Sequence, residues 1–227
     1  MRTALVPVDR AAGWLERFAA RHGGVPAAAA EGAGVLLRAP DGACARWTCT
    51  GLDLAGGDPP GAEVGLANLV RRATAPRLAA VLLLRRGGAV LGVVQLDDGG
   101  PRVLDSLVRT AYVQSRTAAG GWSQQRYARR RAGQSAGLVR EAAAAAGRVW
   151  GPHAAALAGG GALLCTAGDR ALLDTALAEL PAAVSAPARL PRQELELRGD
   201  PRRRVLEDLA PQVGAVRVEV SDAAAGR

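Results

Sequence analysis

The run from Leu78 to Leu84 is continuously apolar, and a second strand-like segment, Ala89 to Leu96, follows it across Gly87 and Gly88. A short, uninterrupted apolar run bounded by turn formers is the signature of a strand covered on both faces. The glycine pair between the two segments predicts a hairpin. Arg102 to Val108 then alternates and predicts a third antiparallel strand, which delivers the chain through Tyr112 and Arg116 to a glycine-rich segment. Beyond that segment, Leu138, Ala142, Ala145 and Val149 recur at helical spacing and define one apolar stripe.

Helix and strand alternate in the remainder. A strand is expected over 162–165, ending at Thr166-Ala167-Gly168, then a helix over 169–180, a strand over 193–197, a helix over 201–209 with Pro201 at its start, and a last strand over 216–220. Hairpins first and alternation later predict an α/β fold with a mixed sheet flanked by helices. Before Pro76 the pattern differs. Ala11, Trp14, Leu15, Phe18 and Ala19 mark a helix over 9–22, with Trp14 and Phe18 as core anchors. An alanine-rich connection precedes strands at 34–37 and 43–50 about a turn at Pro40-Asp41-Gly42, then a loop at 56–61 and a helix over 62–73. This divides the chain into an N-terminal α+β lobe, 1–75, and a second domain, 76–227.

Charge narrows the class of partner. The formal net charge is +8, and all 29 basic residues are arginine, so the field draws the protein toward phosphate-rich partners. Clusters stand at Arg71-Arg72, Arg85-Arg86, Arg129 to Arg131 and Arg202 to Arg204, most of them expected to be solvated faces. No stretch approaches the roughly 20 apolar residues that cross a bilayer, and a cytoplasmic protein that uses no membrane is expected. Cys44, Cys49 and Cys165, with His22 and His153, lack metal-ligand spacing, and no cofactor or metal is called for. The cysteines are small core residues or idle thiols. Asp97, Asp98 and Asp105, the nearest carboxylates a nuclease could use, look like turn residues.

The segment 117–134 carries the functional signal. Gly120 and Gly121 free the backbone, Ser123 is suited to cap a helix that starts near Gln124, and Arg126, Arg129, Arg130 and Arg131 fall in its first turns. Cations are disfavoured at that end of a helix dipole, a penalty that a docked polyanion reverses. The segment is either a solvated surface loop or a protruding tip that inserts into a nucleic-acid site.

The run from Arg116 through Gly120, Gly121, Trp122, Ser123, Gln124 and Gln125 to Arg126 resembles the catalytic loop of the VLRF family. These are peptidyl-tRNA hydrolases related to the middle domain of the eukaryotic and archaeal class-I release factor. The Trp-Ser-Gln-Gln form resembles the actinobacterial branch. A Gly-x-x-Gln element replaces the contiguous Gly-Gly-Gln of the release factor, and here it falls on Gly121, Trp122, Ser123 and Gln124. The resemblance implies an RNase-H-like architecture and gives Gln124 the catalytic role, with Gln125 the adjacent candidate. It implies peptidyl-tRNA, ribosomal RNA and the large ribosomal subunit as partners of a monomer. Arg116, Arg126, Arg129, Arg130 and Arg131 would grip phosphates, joined by Arg109. Trp122 would either stack on a base or brace the loop, and Tyr127 would pack. The competing reading is a non-enzymatic RNA- or ribosome-binding module.

Overall fold

A computed structural model describes residues 1–25, 27–110 and 122–221, without the side chains of 122–132. The chain forms two compact units, the first from 1–78, 95–102 and the C-terminal residues from 211, the second from 79–94 and 103–210. The strands are β1 (Arg2–Val6), β2 (Ala27–Glu31), β3 (Gly34–Arg38), β4 (Cys44–Thr48), β5 (Arg77–Arg85), β6 (Gly88–Leu96), β7 (Arg102–Thr110), β8 (Leu163–Gly168), β9 (Arg192–Leu195) and β10 (Val216–Ser221). The helices are α1 (Ala11–His22), α2 (Leu66–Ala73), α3 (Trp122–Val149), α4 (Ala154–Leu157), α5 (Arg170–Ala178) and α6 (Arg203–Leu209).

The first unit is built on an antiparallel sheet of order β1-β10-β4-β3-β2. Two of its strands were not expected. Among the described residues β1 pairs with β10 alone, from the far end of the chain, so no local pattern announces it. β2 reads Ala-Ala-Ala-Ala-Glu, a composition with little strand propensity. It is held on one side by β3 and on the other by the segment 61–64, which exchanges backbone hydrogen bonds with Ala28 and Ala30. Those bonds keep 61–64 extended, so the helix expected from 62 begins at Leu66. The boundary expected at 75/76 follows order along the chain, whereas β10, from its far end, completes the sheet of the first unit. Order along the chain cannot show which sheet a terminal strand joins.

Aromatic packing and one buried cation tie this unit together. Trp14 stacks on Phe18 with ring centroids 5.3 Å apart and meets Trp47 edge-on at 5.6 Å. Arg77 is 6% exposed. Its guanidinium donates to the carbonyls of Ala73 (3.2 Å), Ala75 (3.1 Å) and Gly214 (2.8 Å), and to Cys49 Sγ at 3.2 Å. Burial pulls the Arg77 pKa down and pushes the Cys49 thiol up, each opposed by the other group. Gly214 has φ +62°, and a Cβ there would stand 2.3 Å from Leu96 Cδ1.

The second unit is a five-stranded sheet of order β7-β6-β5-β8-β9. β5, β8 and β9 run parallel. The connections β5–β6 and β6–β7 are far too short for a parallel crossover, so those neighbours are antiparallel. This is the expected mixed α/β sheet, with hairpin strands on one side and parallel strands on the other. Ala79 to Leu84 and Ala89 to Leu91 are at most 2% exposed, as the continuous apolar runs require. β8 runs on to Gly168, where φ is +126° and a Cβ would lie 2.0 Å from the Leu84 carbonyl oxygen. Only glycine permits that approach. Pro201 is buried and α6 starts two residues after it, at Arg203.

Candidate functional site: a long helix carrying the glutamine element

α3 dominates the second unit. Its 28 residues extend about 42 Å at 1.5 Å per residue. Leu138, Val139, Ala142, Ala143, Ala145, Ala146 and Val149 are at most 3% exposed, which widens the expected stripe to two adjacent rows. The following residue, Trp150, is fully buried and donates its indole N–H to the Gly92 carbonyl on β6 at 3.0 Å. The helix also packs along α5. α5 itself opens on a carboxylate cap, Asp169, whose Oδ1 accepts from the amides of Ala171 and Leu172.

Toward the N-terminus this burial stops. None of residues 133–137 is buried, and the first buried side chain among those described, Leu138, lies about 24 Å along the axis from Trp122. The glutamine element sits at that end. Trp122, Ser123, Gln124 and Gln125 are in the first turns of α3, and Arg126, Arg129, Arg130 and Arg131 follow within the same unbroken helix. Ser123 is therefore inside the helix and does not cap it. Helix boundaries shift by a residue or two with the local hydrogen bonding of the first turn. Arg116, Gly120 and Gly121 lie outside the described residues.

Helical register sorts the positions. Eighteen residues make about five turns, so positions 124, 125 and 131 repeat those of Ala142, Ala143 and Val149, all buried. Positions 126, 129 and 130 repeat those of Ala144, Gly147 and Arg148, all exposed.

Other expected features resolve as structural. Arg72 donates to the carbonyls of Leu54 and Ala55 and lies against Gly56, so one cluster spends a cation inside the fold. Asp97 holds its turn by accepting from the Gly99 amide and the Gln95 side chain. Asp105 is not a turn residue: it lies within β7. Cys165, on β8, is fully buried, and desolvation pushes its thiol up to about 12. Among the described residues, no group of three or more His, Cys, Asp or Glu could hold a metal ion, and no helix is long and apolar enough to cross a membrane. Trp150 and Gly92, which fix the helix, were not legible as a pair in the sequence, because their contact is set by the sheet.

No curated protein matches the chain. The crystal structure of an archaeal translation termination factor, aRF1, is similar with a TM-score of 0.35 and 11% identity, covering 73% of this chain. The chain spans 44% of that structure's length. Residues 77–219, which contain the whole of α3, match the family described as actinobacteria/chloroflexi VLRF1 release factor, and the chain belongs to that family.

Proposed function

We propose that this release-factor family member hydrolyses the ester between a nascent peptide and tRNA on stalled large ribosomal subunits, freeing the chain in ribosome rescue and quality control. The observation that carries this reading is the position of the glutamine element at the start of a helix whose far half is packed in the core. A rigid stalk of that length lets a small tip enter a site that the rest of the domain stays outside.

Ester hydrolysis needs a placed water, a site for the developing oxyanion and protonation of the leaving oxygen. A glutamine carboxamide is far too weak a base to ionise water. Gln124 instead orients the water through its side chain, and its backbone amide faces the leaving 3'-oxygen. Gly120 and Gly121 let the chain thread a narrow RNA-lined cavity, with Ser123 and Gln125 completing the tip. Arg116, Arg126, Arg129, Arg130 and Arg131 hold phosphates of ribosomal RNA and tRNA, and Trp122 stacks on a base or ribose, a contact worth about 1–3 kcal/mol. The protein works as a cytoplasmic monomer.

Single-turnover release of peptide from peptidyl-tRNA on isolated large subunits tests the reading. Wild type releases the peptide. Gln124→Ala loses about 100-fold or more in rate, on the scale of removing one transition-state hydrogen bond, while subunit binding persists. A wild-type protein that binds without turnover would instead be a non-enzymatic ribosome-binding module. If only Gln125→Ala abolished release, the catalytic amide would be one residue further on.

A further inference from the structure

Two arginine clusters more than a hundred residues apart in sequence meet at one end of the second sheet. Arg85, the last residue of β5, donates to the carbonyls of Gly199 (3.0 Å) and Leu197 (3.3 Å). Beside it, a Cβ on Gly87 would stand 3.4 Å from Asp200 Oδ1. The tight turn between β5 and β6 therefore lies against the segment after β9, which runs through buried Pro201 directly into Arg202, Arg203 and Arg204. Residues 85–87 and 196–204 together contain six arginines against two carboxylates, Glu196 and Asp200.

The side chains at this end divide into two sets. Arg198 is paired with Glu196 at 3.1 Å and Arg203 with Glu207 at 3.1 Å. The side chains of Arg86, Arg202 and Arg204 are exposed and make no ion pair or hydrogen bond among the described residues. The same end is where the chain leaves the sheet for the glycine segment. A Cβ on Gly88 would lie 2.7 Å from the Arg109 carbonyl oxygen, which places the last residues of β7 beside the start of β6. Cations without partners that converge from two distant segments gain nothing for the fold and repel one another. A polyanion relieves that repulsion and releases counterions.

We propose that Arg86, Arg202 and Arg204 form a second RNA-binding surface, which takes the sugar-phosphate backbone of ribosomal RNA while the glutamine element engages the ester. The inference rests on the ribosomal reading above but assigns these residues to binding alone. The surface sets affinity and its salt dependence and leaves the chemical step unchanged.

Equilibrium binding to vacant large ribosomal subunits, titrated with salt, tests it. The variant Arg86→Gln, Arg202→Gln, Arg204→Gln is compared with wild type and with a control of equal charge, Arg17→Gln, Arg21→Gln, Arg189→Gln. The expected result is a log–log salt slope shallower by about 2 for the first variant, from roughly 0.7 per lost phosphate contact, and affinity lower by tenfold or more. The control keeps most of the wild-type slope. Saturating concentrations of the first variant release peptide at the wild-type rate, the opposite pattern to Gln124→Ala. A wild-type slope in the first variant, or an equal change in the control, overturns the surface and leaves the hydrolysis reading standing. Loss of binding to phosphatidylglycerol vesicles with subunit binding unchanged would reassign the patch to a membrane. Absence of wild-type binding to large subunits would overturn both readings.

Discussion

The indole N–H of Trp150 donates to the carbonyl oxygen of Gly92 across 3.0 Å, joining the C-terminal end of α3 to the middle of β6. The bond is fully buried, and a Cβ on Gly92 would lie 2.7 Å from Leu206 Cδ2. The helix is thus fixed where it meets the sheet, and its aim is set there. Trp150→Phe keeps most of the packing and removes the donor, so it should cost about 1–3 kcal/mol. Trp150→Ala should cost about 3–5 kcal/mol by adding a cavity. Urea unfolding measures both.

Toward the other end of α3, Gly133 and Gly137 lie within the helix at positions where a Cβ would meet nothing within 4 Å. Each glycine weakens a helix by roughly 0.5–1 kcal/mol relative to alanine. Gly133→Ala and Gly137→Ala should therefore each raise stability by about that amount, read as a higher urea midpoint. Assay of the double variant in peptide release then tells whether the stalk must bend: a rate equal to wild type means that a stiffer helix serves as well.

Arg77 closes the first unit over Gly214. Arg77→Met leaves the carbonyls of Ala73, Ala75 and Gly214 without this donor and should cost more than about 3 kcal/mol. Gly214→Ala forces a Cβ into the left-handed region and against Leu96, at a cost of about 1–3 kcal/mol. Because the two residues share one hydrogen bond, the double variant should lose less than the sum of the single losses. A thermodynamic cycle from chemical denaturation checks this.

The thiols supply a test at alkaline pH. Cys49 and Cys165 are buried with raised pKa values, about 12 for Cys165, whereas Cys44 is only partly covered. A maleimide at pH 8 should label one thiol in the native protein and three in denaturant. The unfolded Cys165 ionises near its ordinary value, while the folded one holds its proton. Its contribution is therefore complete below pH 9 and is lost progressively as pH rises toward 12. Cys165→Ala should flatten that alkaline decline.

Much of this molecule follows from local chemistry. The apolar runs at 78–84 and 89–96 dictate covered strands, the glycines between them a hairpin, and the 138–149 stripe a packed helix, because each pattern repeats at the period of its own element. The Gly121-Trp122-Ser123-Gln124 element identified the family through a short contiguous motif. Tertiary structure alone decided the rest. β10 joins the N-terminal sheet, the alanines of β2 become a strand, Arg77 enters a core while Arg85 reaches Gly199, and Arg86 comes to the same end of a sheet as Arg202. In each case the partner is distant along the chain, and a hydrogen bond or charge contact between distant segments has no periodicity for a sequence to display.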